Sequence, residues 1–250
     1  MSSSVSVIIP TYNRWQVLQR AIDSVLAQST AADEIIVVDD GSTDNTISVV
    51  EGHTHLFRRL VVIPSERNLG KGHAVRKGML TGTGQHRLFL DADNSTNVRE
   101  FDRLMAAAAE EPIDTPVIIG SVALQGSNVD IEQPGFRASL GRLGNRIIQR
   151  IVLPGIEDTQ RGFKIFTGEA SDAIFRRCTS NGWAFDVEAL ALARGLGYHI
   201  LEVPITWEHR EDSRVNPGAY FSALVDVVRI KLRVDRQLRD LERSGSEQNR

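Results

Sequence analysis

The segment Leu88-Phe89-Leu90-Asp91-Ala92-Asp93 joins a short apolar run to two carboxylates. The apolar residues are typical of a buried strand, and the change to polar residues marks the end of that strand. Along a regular strand Asp91 and Asp93 would point to opposite faces, but at a strand end the chain turns and both can reach one cation. Carboxylate oxygens suit Mg²⁺ or Mn²⁺, which also bind substrate phosphates. The segment therefore predicts a metal site for a phosphorylated ligand.

Apolar runs alternate with helical patterns on both sides of this segment. In the first half of the chain, strands are predicted at residues 5–9, 34–38, 60–64 and 87–90, and helices at 14–28, 45–51, about 72–80 and 98–110. Alternation of this kind predicts an α/β fold with a mostly parallel, Rossmann-like sheet and helices on both faces.

The second half of the chain is less regular. Strands are predicted within residues 116–124, 158–166 and 198–207, and amphipathic or buried helices at 138–152, 184–194 and 220–241. Residues 244–250 are predicted to be a disordered tail. No internal repeat or low-complexity linker separates the halves, so we expect one domain over residues 1–243.

Polar loops follow three of the predicted strands at the point where each strand ends. Besides Asp91-Ala92-Asp93, these are Thr11-Tyr12-Asn13 and Asp39-Asp40-Gly41-Ser42. Ligands bind at the carboxyl ends of the strands in such sheets, so we expect the loops to meet. Tyr12 fits either a base-stacking residue or a core residue. One carboxylate of the second loop can bind a ribose or a base edge, while the other closes the turn.

Residues next to these loops have less specific patterns. Ser42 or Asp44 can cap the helix that follows the second loop. Lys71 follows Gly70 and can approach a phosphate or a ribose, although the sequence there is not a P-loop. The histidines have no metal-ligand spacing among them, which argues against a zinc site.

The overall composition excludes several classes of protein. The formal net charge is -3 over 250 residues, so no global basic field indicates a nucleic acid partner. A single cysteine excludes an internal disulfide framework and fits a reducing compartment. The first six residues lack a signal-peptide pattern, and no apolar run approaches the roughly 18–20 residues that span a bilayer. We therefore expect a cytoplasmic protein, either soluble or peripheral on the cytoplasmic face of a membrane.

The three loops together resemble glycosyltransferase family 2, which has the GT-A fold. The matching segments are VIIPTYN at residues 7–13, VVDDGS at 37–42, DADNST at 91–96, DTQRGFK at 158–164 and SRV at 213–215. The later segments are similar to the polyprenyl-phosphate sugar transferases, and within that group to the dolichyl-phosphate β-glucosyltransferases. The resemblance covers roughly residues 5–235, with a nucleotide-binding half over about 5–115 and an acceptor half over about 116–243.

This resemblance implies a metal-dependent inverting transferase that moves a hexose from a nucleotide sugar to a polyprenyl or dolichyl phosphate. UDP-glucose is the expected donor, and Mg²⁺ or Mn²⁺ is the expected cofactor. A GDP-mannose-dependent mannosyltransferase, or a family 2 transferase with another lipid or soluble acceptor, stays open. A non-catalytic nucleotide-sugar-binding module is the alternative from another class. A nucleotidyltransferase is disfavoured because residues 10–14 lack the glycine- and lysine-rich loop that it needs.

The resemblance also implies roles for the residues that match the family's motifs. The base and ribose would be bound by Pro10, Tyr12, Val38, Asp39 and Asp40. The metal and the donor diphosphate would be bound at Asp91, Ala92 and Asp93, with Lys71 nearby and Ser95 as the third ligand. The phosphates of donor or acceptor would be bound by Arg137, Gln160, Arg210, Ser213 and Arg214. Ser95 replaces the glutamine that the related mannosyltransferases have at its position.

The acceptor decides whether the reaction needs a base. A hydroxyl acceptor must lose a proton, whereas a phosphomonoester, with a second pKa near ~6, is largely ionised at neutral pH. Asp158 completes the catalytic candidates Asp91 and Asp93. We expect it to position the acceptor first and to act as a base second, unless it only ties the turn at residues 159–160. Asp186 and Glu188 are further candidate carboxylates.

Basic residues in the predicted helices 138–152 and 220–241 resemble amphipathic segments that lie on anionic membranes. The apolar faces of these helices fit core packing equally well. The expected partners are therefore a nucleotide-sugar donor, a polyprenyl-phosphate acceptor and a membrane surface, with a homo-oligomer or a membrane-protein partner left open.

Overall fold

The computed structural model describes residues 4–28, 32–56, 59–129, 148–208 and 218–248. Its strands are β1 (Val5–Thr11), β2 (Glu34–Asp39), β3 (Leu60–Pro64), β4 (His86–Leu90), β5 (Val117–Ser121), β6 (Asn128–Val129), β7 (Phe163–Thr167), β8 (Ile200–Pro204) and β9 (Thr206–Trp207). Its helices are α1 (Trp15–Leu26), α2 (Thr46–Gly52), α3 (Lys71–Thr81), α4 (Glu100–Glu110), α5 (Gly168–Phe175), α6 (Phe185–Gly195) and α7 (Gly218–Gln248).

Seven of these strands form one sheet in the order β3-β2-β1-β4-β7-β5-β8. Neighbouring strands run parallel except at β7, which is antiparallel to both β4 and β5. Strands β6 and β9 form a separate parallel pair. The predicted α/β fold with a mostly parallel sheet is thus confirmed. Because both halves of the chain contribute strands to this sheet, we propose that they form a single domain.

Both faces of the sheet are covered, which explains why its central strands are apolar along their length. All seven residues of β1 are buried. Ile8 packs in one cluster with residues of α3 and α6, and Ile9 packs in the other cluster with residues of α1 and α4. Burial on both faces fixes the register of each strand, and therefore fixes where the strand ends lie.

Three features of the second half differ from the prediction or extend it. Helix α5 was not predicted; it begins after Thr167, whose hydroxyl accepts a hydrogen bond from the backbone N–H of Ala170 at 3.3 Å. Helix α7 continues to Gln248, so the disordered tail predicted from residue 244 is not seen up to that residue. Of the predicted helix 138–152, only residues 148–152 lie within the described ranges, and 148–151 are helical.

None of the helices in the described part of the chain combines the length and the hydropathy needed to cross a bilayer.

Candidate functional site

The first two polar loops lie side by side because β1 and β2 are parallel neighbours in register. Asn13 takes a left-handed backbone conformation with φ of 50°, and its N–H donates to the Ser42 hydroxyl at 2.8 Å. Its side-chain oxygen accepts a hydrogen bond from the Thr43 N–H, also at 2.8 Å. Ser42 therefore joins the two loops. Asp44, the other predicted cap, accepts from the N–H of Thr46, the first residue of α2, at 3.1 Å.

The two aspartates of the second loop are buried, and both bind backbone N–H groups. Asp39 accepts from Ser42 at 3.1 and 3.3 Å, which closes its own turn. Asp40 accepts from Leu69 at 2.9 Å and from Gly70 at 2.8 Å. Gly70 has a φ of 102°, a conformation that side chains disfavour. Asp40 therefore fixes the turn immediately before α3, which begins at Lys71.

Lys71 is largely buried at the end of β4. Its Nζ lies 2.7 Å from Oδ1 of Asp91, and 5.0 to 5.9 Å from the centroids of three aromatic rings, those of Phe89, Trp183 and Phe185. Burial by itself lowers the pKa of the ammonium, but the nearby Asp91, Asp186 and Asp93 outweigh burial, and the pKa is raised above its ordinary value. The raised pKa favours the charged form of Lys71 beside Asp91.

The carboxylates that follow β4 are held by neighbouring backbone. The N–H of Asp91 donates to the carbonyl of Gly162 at 3.0 Å, and a Cβ at Gly162 would overlap the Asp91 carboxylate. Asp93 accepts a hydrogen bond from the N–H of Ser95 at 3.0 Å. The carbonyl of Ser95 in turn accepts from Glu208 at 2.8 Å. These contacts close the strand end into a compact turn that carries both aspartates.

A buried ion pair lies behind this turn. Lys164 Nζ is 2.6 Å from Oδ1 of Asp186, and the two side chains are 2% and 3% exposed. Burial raises the pKa of the Asp186 carboxyl, although Lys164 and Lys71 oppose that shift. With Asp91 and Asp93 included, the cluster has three carboxylates and two ammonium groups. When all five are ionised it carries one excess negative charge, which favours binding of a cation.

Asp158 lies in the loop that leads into β7, and its carboxylate is fully engaged. It accepts hydrogen bonds from the backbone of Val122 at 3.2 Å and of Gln160 at 3.1 Å, and from Arg161 Nε at 2.9 Å. The Arg161 guanidinium also lies 4.6 Å from the ring centroid of Trp207. Asp158 thus ties the turn at residues 159–160 and holds Arg161 in place.

Comparison with known proteins identifies the family of the chain. Residues 6–175 match the family model described as Glycosyl transferase family 2. The chain belongs to this family. Two relatives are both named dolichyl-phosphate beta-glucosyltransferase. The Drosophila melanogaster protein is 36% identical over 86% of this chain and 70% of its own length. The Homo sapiens protein is 30% identical over 93% of this chain and 76% of its own length.

A solved structure supports the fold of this family 2 chain. Glucosyl-3-phosphoglycerate synthase from Mycobacterium tuberculosis, in complex with Mn²⁺, UDP and glucosyl-3-phosphoglycerate, superposes with a TM-score of 0.69. The match covers 93% of this chain and 80% of that protein at 18% identity, so it concerns the fold alone. The protein is therefore a glycosyltransferase with the GT-A fold, and the resemblance seen in the sequence is confirmed.

The residues after β4 fit the divalent cation that the family resemblance implies. Asp91 and Asp93 offer carboxylate oxygens, and the buried Oδ1 of Asn94 has no hydrogen-bond donor among the described residues. Within the same residues, no group of three His, Cys, Asp or Glu side chains is arranged to hold a metal alone. A hard cation such as Mg²⁺ or Mn²⁺ takes its remaining ligands from water and substrate phosphate, which matches this incomplete oxygen set.

The other predicted residues of this transferase have varied positions. Pro10 and Val38 are buried partners in β1 and β2, and Tyr12 follows β1 with 39% of its surface exposed. Ala92 and Ser95 are buried, and Gln160 is exposed. Four predicted phosphate-binding residues lie outside the described ranges: Arg137, Arg210, Ser213 and Arg214.

Three residues that lie beside these loops were not among the predicted site residues. Asn94 directly follows the Asp91-Ala92-Asp93 pattern, and an amide beside two carboxylates gave no separate signal in the sequence. Trp183 was overlooked because its loop has no family motif, although a tryptophan directly before a helix was an available signal. Lys164 ends the matching segment at residues 158–164 and was given no role, yet β7 carries it into the interior beside Asp186.

Proposed function

We propose that this glycosyltransferase moves a glucosyl residue from UDP-glucose to dolichyl phosphate or a related polyprenyl phosphate, with the help of a divalent cation. The observation that carries the proposal is the pairing of Lys71 with Asp91, beside Asp93, at the carboxyl edge of the sheet. The choice of sugar and acceptor follows the names of the relatives, and the choice of UDP and Mn²⁺ follows the ligands of the fold neighbour.

The donor would lie along the strand ends in a definite order. Tyr12, exposed after β1, would stack on the base. The buried Asp39 and Asp40 would act through the backbone that they hold, since their carboxylates already bind N–H groups. Asp91 follows β4, the next strand of the sheet, and Lys71 at the start of α3 contacts it there. The diphosphate would lie at this point.

Loss of the sugar leaves negative charge on the departing diphosphate. A divalent cation, when bound by Asp91, Asp93 and Asn94, supplies positive charge that stabilises this leaving group. Lys71 would donate to a diphosphate oxygen, since its pairing with Asp91 and its contacts with three aromatic rings already hold the ammonium at this strand end. Direct attack by an acceptor oxygen on the sugar carbon, with departure of UDP, inverts the configuration at that carbon.

A phosphate acceptor makes a separate base unnecessary, because its second pKa is near ~6. The contacts of Asp158 support a positioning role, since two of its hydrogen bonds come from Gln160 and Arg161 of its own loop and the third, from Val122, ties that loop to the end of β5. We assign acceptor binding to that loop. The acceptor lipid would be reached at a membrane surface, as the basic amphipathic segments of the sequence suggest.

A donor and acceptor panel tests the proposal. The full chain would be incubated with UDP-glucose, UDP-galactose or GDP-mannose, with dolichyl phosphate in detergent, and with Mn²⁺ or excess EDTA. We expect metal-dependent formation of a dolichyl phosphoglucose, detected by mass spectrometry, with release of UDP. Product from GDP-mannose alone would replace the donor assignment. Donor binding without transfer to any acceptor would instead favour a non-catalytic binding module.

A further inference from the structure

Trp183 is an exposed aromatic residue at the edge of the proposed donor site. Its side chain is 55% exposed, although it belongs to the residue type with the largest apolar surface. Its ring centroid lies 5.0 Å from Lys71 Nζ, which in turn lies 2.7 Å from Oδ1 of Asp91. The Lys71 ammonium therefore lies between the indole and Asp91, the carboxylate that would hold the cation and, through it, the diphosphate.

The loop before Trp183 is held rigidly. Glu188 of α6 accepts hydrogen bonds from the backbone N–H groups of Thr179 and Ser180 at 2.9 and 2.7 Å. The carbonyl of Asn181 accepts from the N–H of Gly72 in α3 at 2.7 Å. These bonds tie the backbone that leads to Trp183 to α3, the helix that begins at Lys71, which reduces the entropy lost when a ligand orders this loop.

The position of Trp183 along the sheet indicates which part of a donor it would meet. The loops assigned to the base follow β1 and β2, and the diphosphate residues follow β4. Trp183 lies close to β4, because the adjacent Phe185 packs edge-on against Phe89 of β4 at 5.6 Å between ring centroids, and it lies next to Lys71, which would meet the diphosphate. A ligand that runs from the base to the diphosphate would next present its sugar here.

We propose that the Trp183 indole is the platform for the hexose of the nucleotide-sugar donor. The C–H groups on one face of a pyranose carry partial positive charge, and they pack favourably on the negative face of an aromatic ring. The nearby Lys71 ammonium would be a hydrogen-bond donor for the hydroxyl groups of the sugar. This inference rests on the proposed donor class and adds a residue that would distinguish a nucleotide sugar from the free nucleotide.

A competing explanation is that Trp183 only orients Lys71 through its cation–π contact. The two explanations differ in their effect on UDP, which has the diphosphate and lacks the sugar. Loss of a sugar platform weakens UDP-glucose and leaves UDP unchanged, whereas misplacement of Lys71 weakens both ligands. Calorimetric titration of UDP and UDP-glucose in the presence of Mn²⁺ therefore separates them.

For Trp183→Ala we expect the affinity for UDP-glucose to fall about three- to tenfold, with the affinity for UDP within about twofold of wild type. Trp183→Phe should retain most of the UDP-glucose affinity because it keeps an aromatic face. Lys71→Met should weaken both ligands. Ile113→Ala is the matched control, because Ile113 is a similarly exposed apolar residue, at 53%, and has no place in the proposed site.

Fluorescence gives a second readout that does not depend on turnover. With Trp15 and Trp207 replaced by phenylalanine, the remaining indole should change its emission on addition of UDP-glucose and not on addition of UDP. Equal weakening of both ligands by Trp183→Ala, or an unchanged affinity for UDP-glucose, would overturn the inference. If the wild-type protein binds neither UDP nor UDP-glucose, the proposed donor is wrong, and the role of Trp183 as a sugar platform is rejected with it.

Discussion

The ammonium of Lys71 lies 2.7 Å from Oδ1 of Asp91, at the end of the central strand β4. The same carboxylate is a proposed ligand of the divalent cation, so the lysine and the metal are attracted to one group. Lys71 should therefore have two effects of opposite sign. It competes with the cation for Asp91, and it attracts the diphosphate of the donor.

Replacement of this lysine separates the two effects. In Lys71→Met, Asp91 loses a neighbouring positive charge, and we expect the affinity for Mn²⁺ without nucleotide to rise about tenfold. The affinity for UDP in saturating Mn²⁺ should fall, because one charge that faces the diphosphate is gone. Manganese paramagnetic resonance and calorimetry measure the two affinities. Lys77→Met, on the same helix, is the control, and parallel changes in both affinities would contradict the assignment.

Asp93 is predicted to act through its charge. Asp93→Asn keeps an oxygen that can accept from the Ser95 N–H and loses the negative charge needed by a cation. We expect transfer to fall by about 10²- to 10³-fold or more, with little change in melting temperature. Asp114→Asn, at an exposed position, is the control. Turnover at the wild-type rate by Asp93→Asn in the presence of metal would remove this residue from the site.

Substitution of Gly162 tests whether close packing of this residue against Asp91 positions the Asp91 carboxylate. A methyl group at this position would overlap the Asp91 carboxylate, so Gly162→Ala should displace that carboxylate from Lys71 and lower the rate of transfer by at least about tenfold. Gly52→Ala is the matched control, because a Cβ there would meet no atom within 4 Å. Initial rates at saturating donor measure the effect, and equal rates for the two variants would show that the strand end adapts.

Glu34, which begins β2, provides a prediction about pH and stability. Burial by itself raises the pKa of this carboxyl, but hydrogen bonds from Ser6 and Thr83 and the charge of Arg59 outweigh burial and lower it below 4.5. Because the folded-state pKa lies below the unfolded value, the ionised carboxylate stabilises the fold above about pH 4.5, and this contribution is lost as pH falls through the lowered pKa.

Urea unfolding of wild type and Glu34→Gln measures this contribution. We expect the wild type to be the more stable protein at pH 7, and the difference in the free energy of unfolding to shrink as pH falls below about 4.5. Glu66→Gln is the control, since Glu66 is exposed. A difference that stays constant over this range would show that Glu34 stabilises the strand without its charge.

The fold, and the positions of the polar loops at the strand ends, followed from local patterns in the sequence. The strands β1, β2 and β4 are buried on both faces, so each shows as an apolar run with a sharp polar end. Ion pairs between residues that are distant in the chain could not be predicted from local patterns in the sequence. Lys164 and Asp186 are separated by 22 positions and form an ion pair only because β7 is inserted beside β4.

The roles of the loop aspartates also required coordinates. Asp39 and Asp40 are adjacent in the chain and chemically identical, yet one closes its own turn and the other fixes the loop before Lys71. The partner of each carboxylate depends on where the backbone of residues 69–70 lies. Similarly, Asp158 has the side chain of a candidate catalytic base. Its three hydrogen-bond donors, which only the coordinates reveal, indicate that it orders a loop.

The reversed direction of β7 has a consequence for how this transferase can change. Because β7 runs against β4, the residues that enter β7 lie at the same edge as the residues that leave β4, and Asp91 bonds to Gly162 there. The proposed donor residues that follow β1, β2 and β4 thus lie at the same edge of the sheet as Gln160 and Arg161, the proposed acceptor residues that precede β7. Changes in the loop before β7 can therefore alter contacts with the acceptor while the strands that carry the proposed donor residues stay as they are.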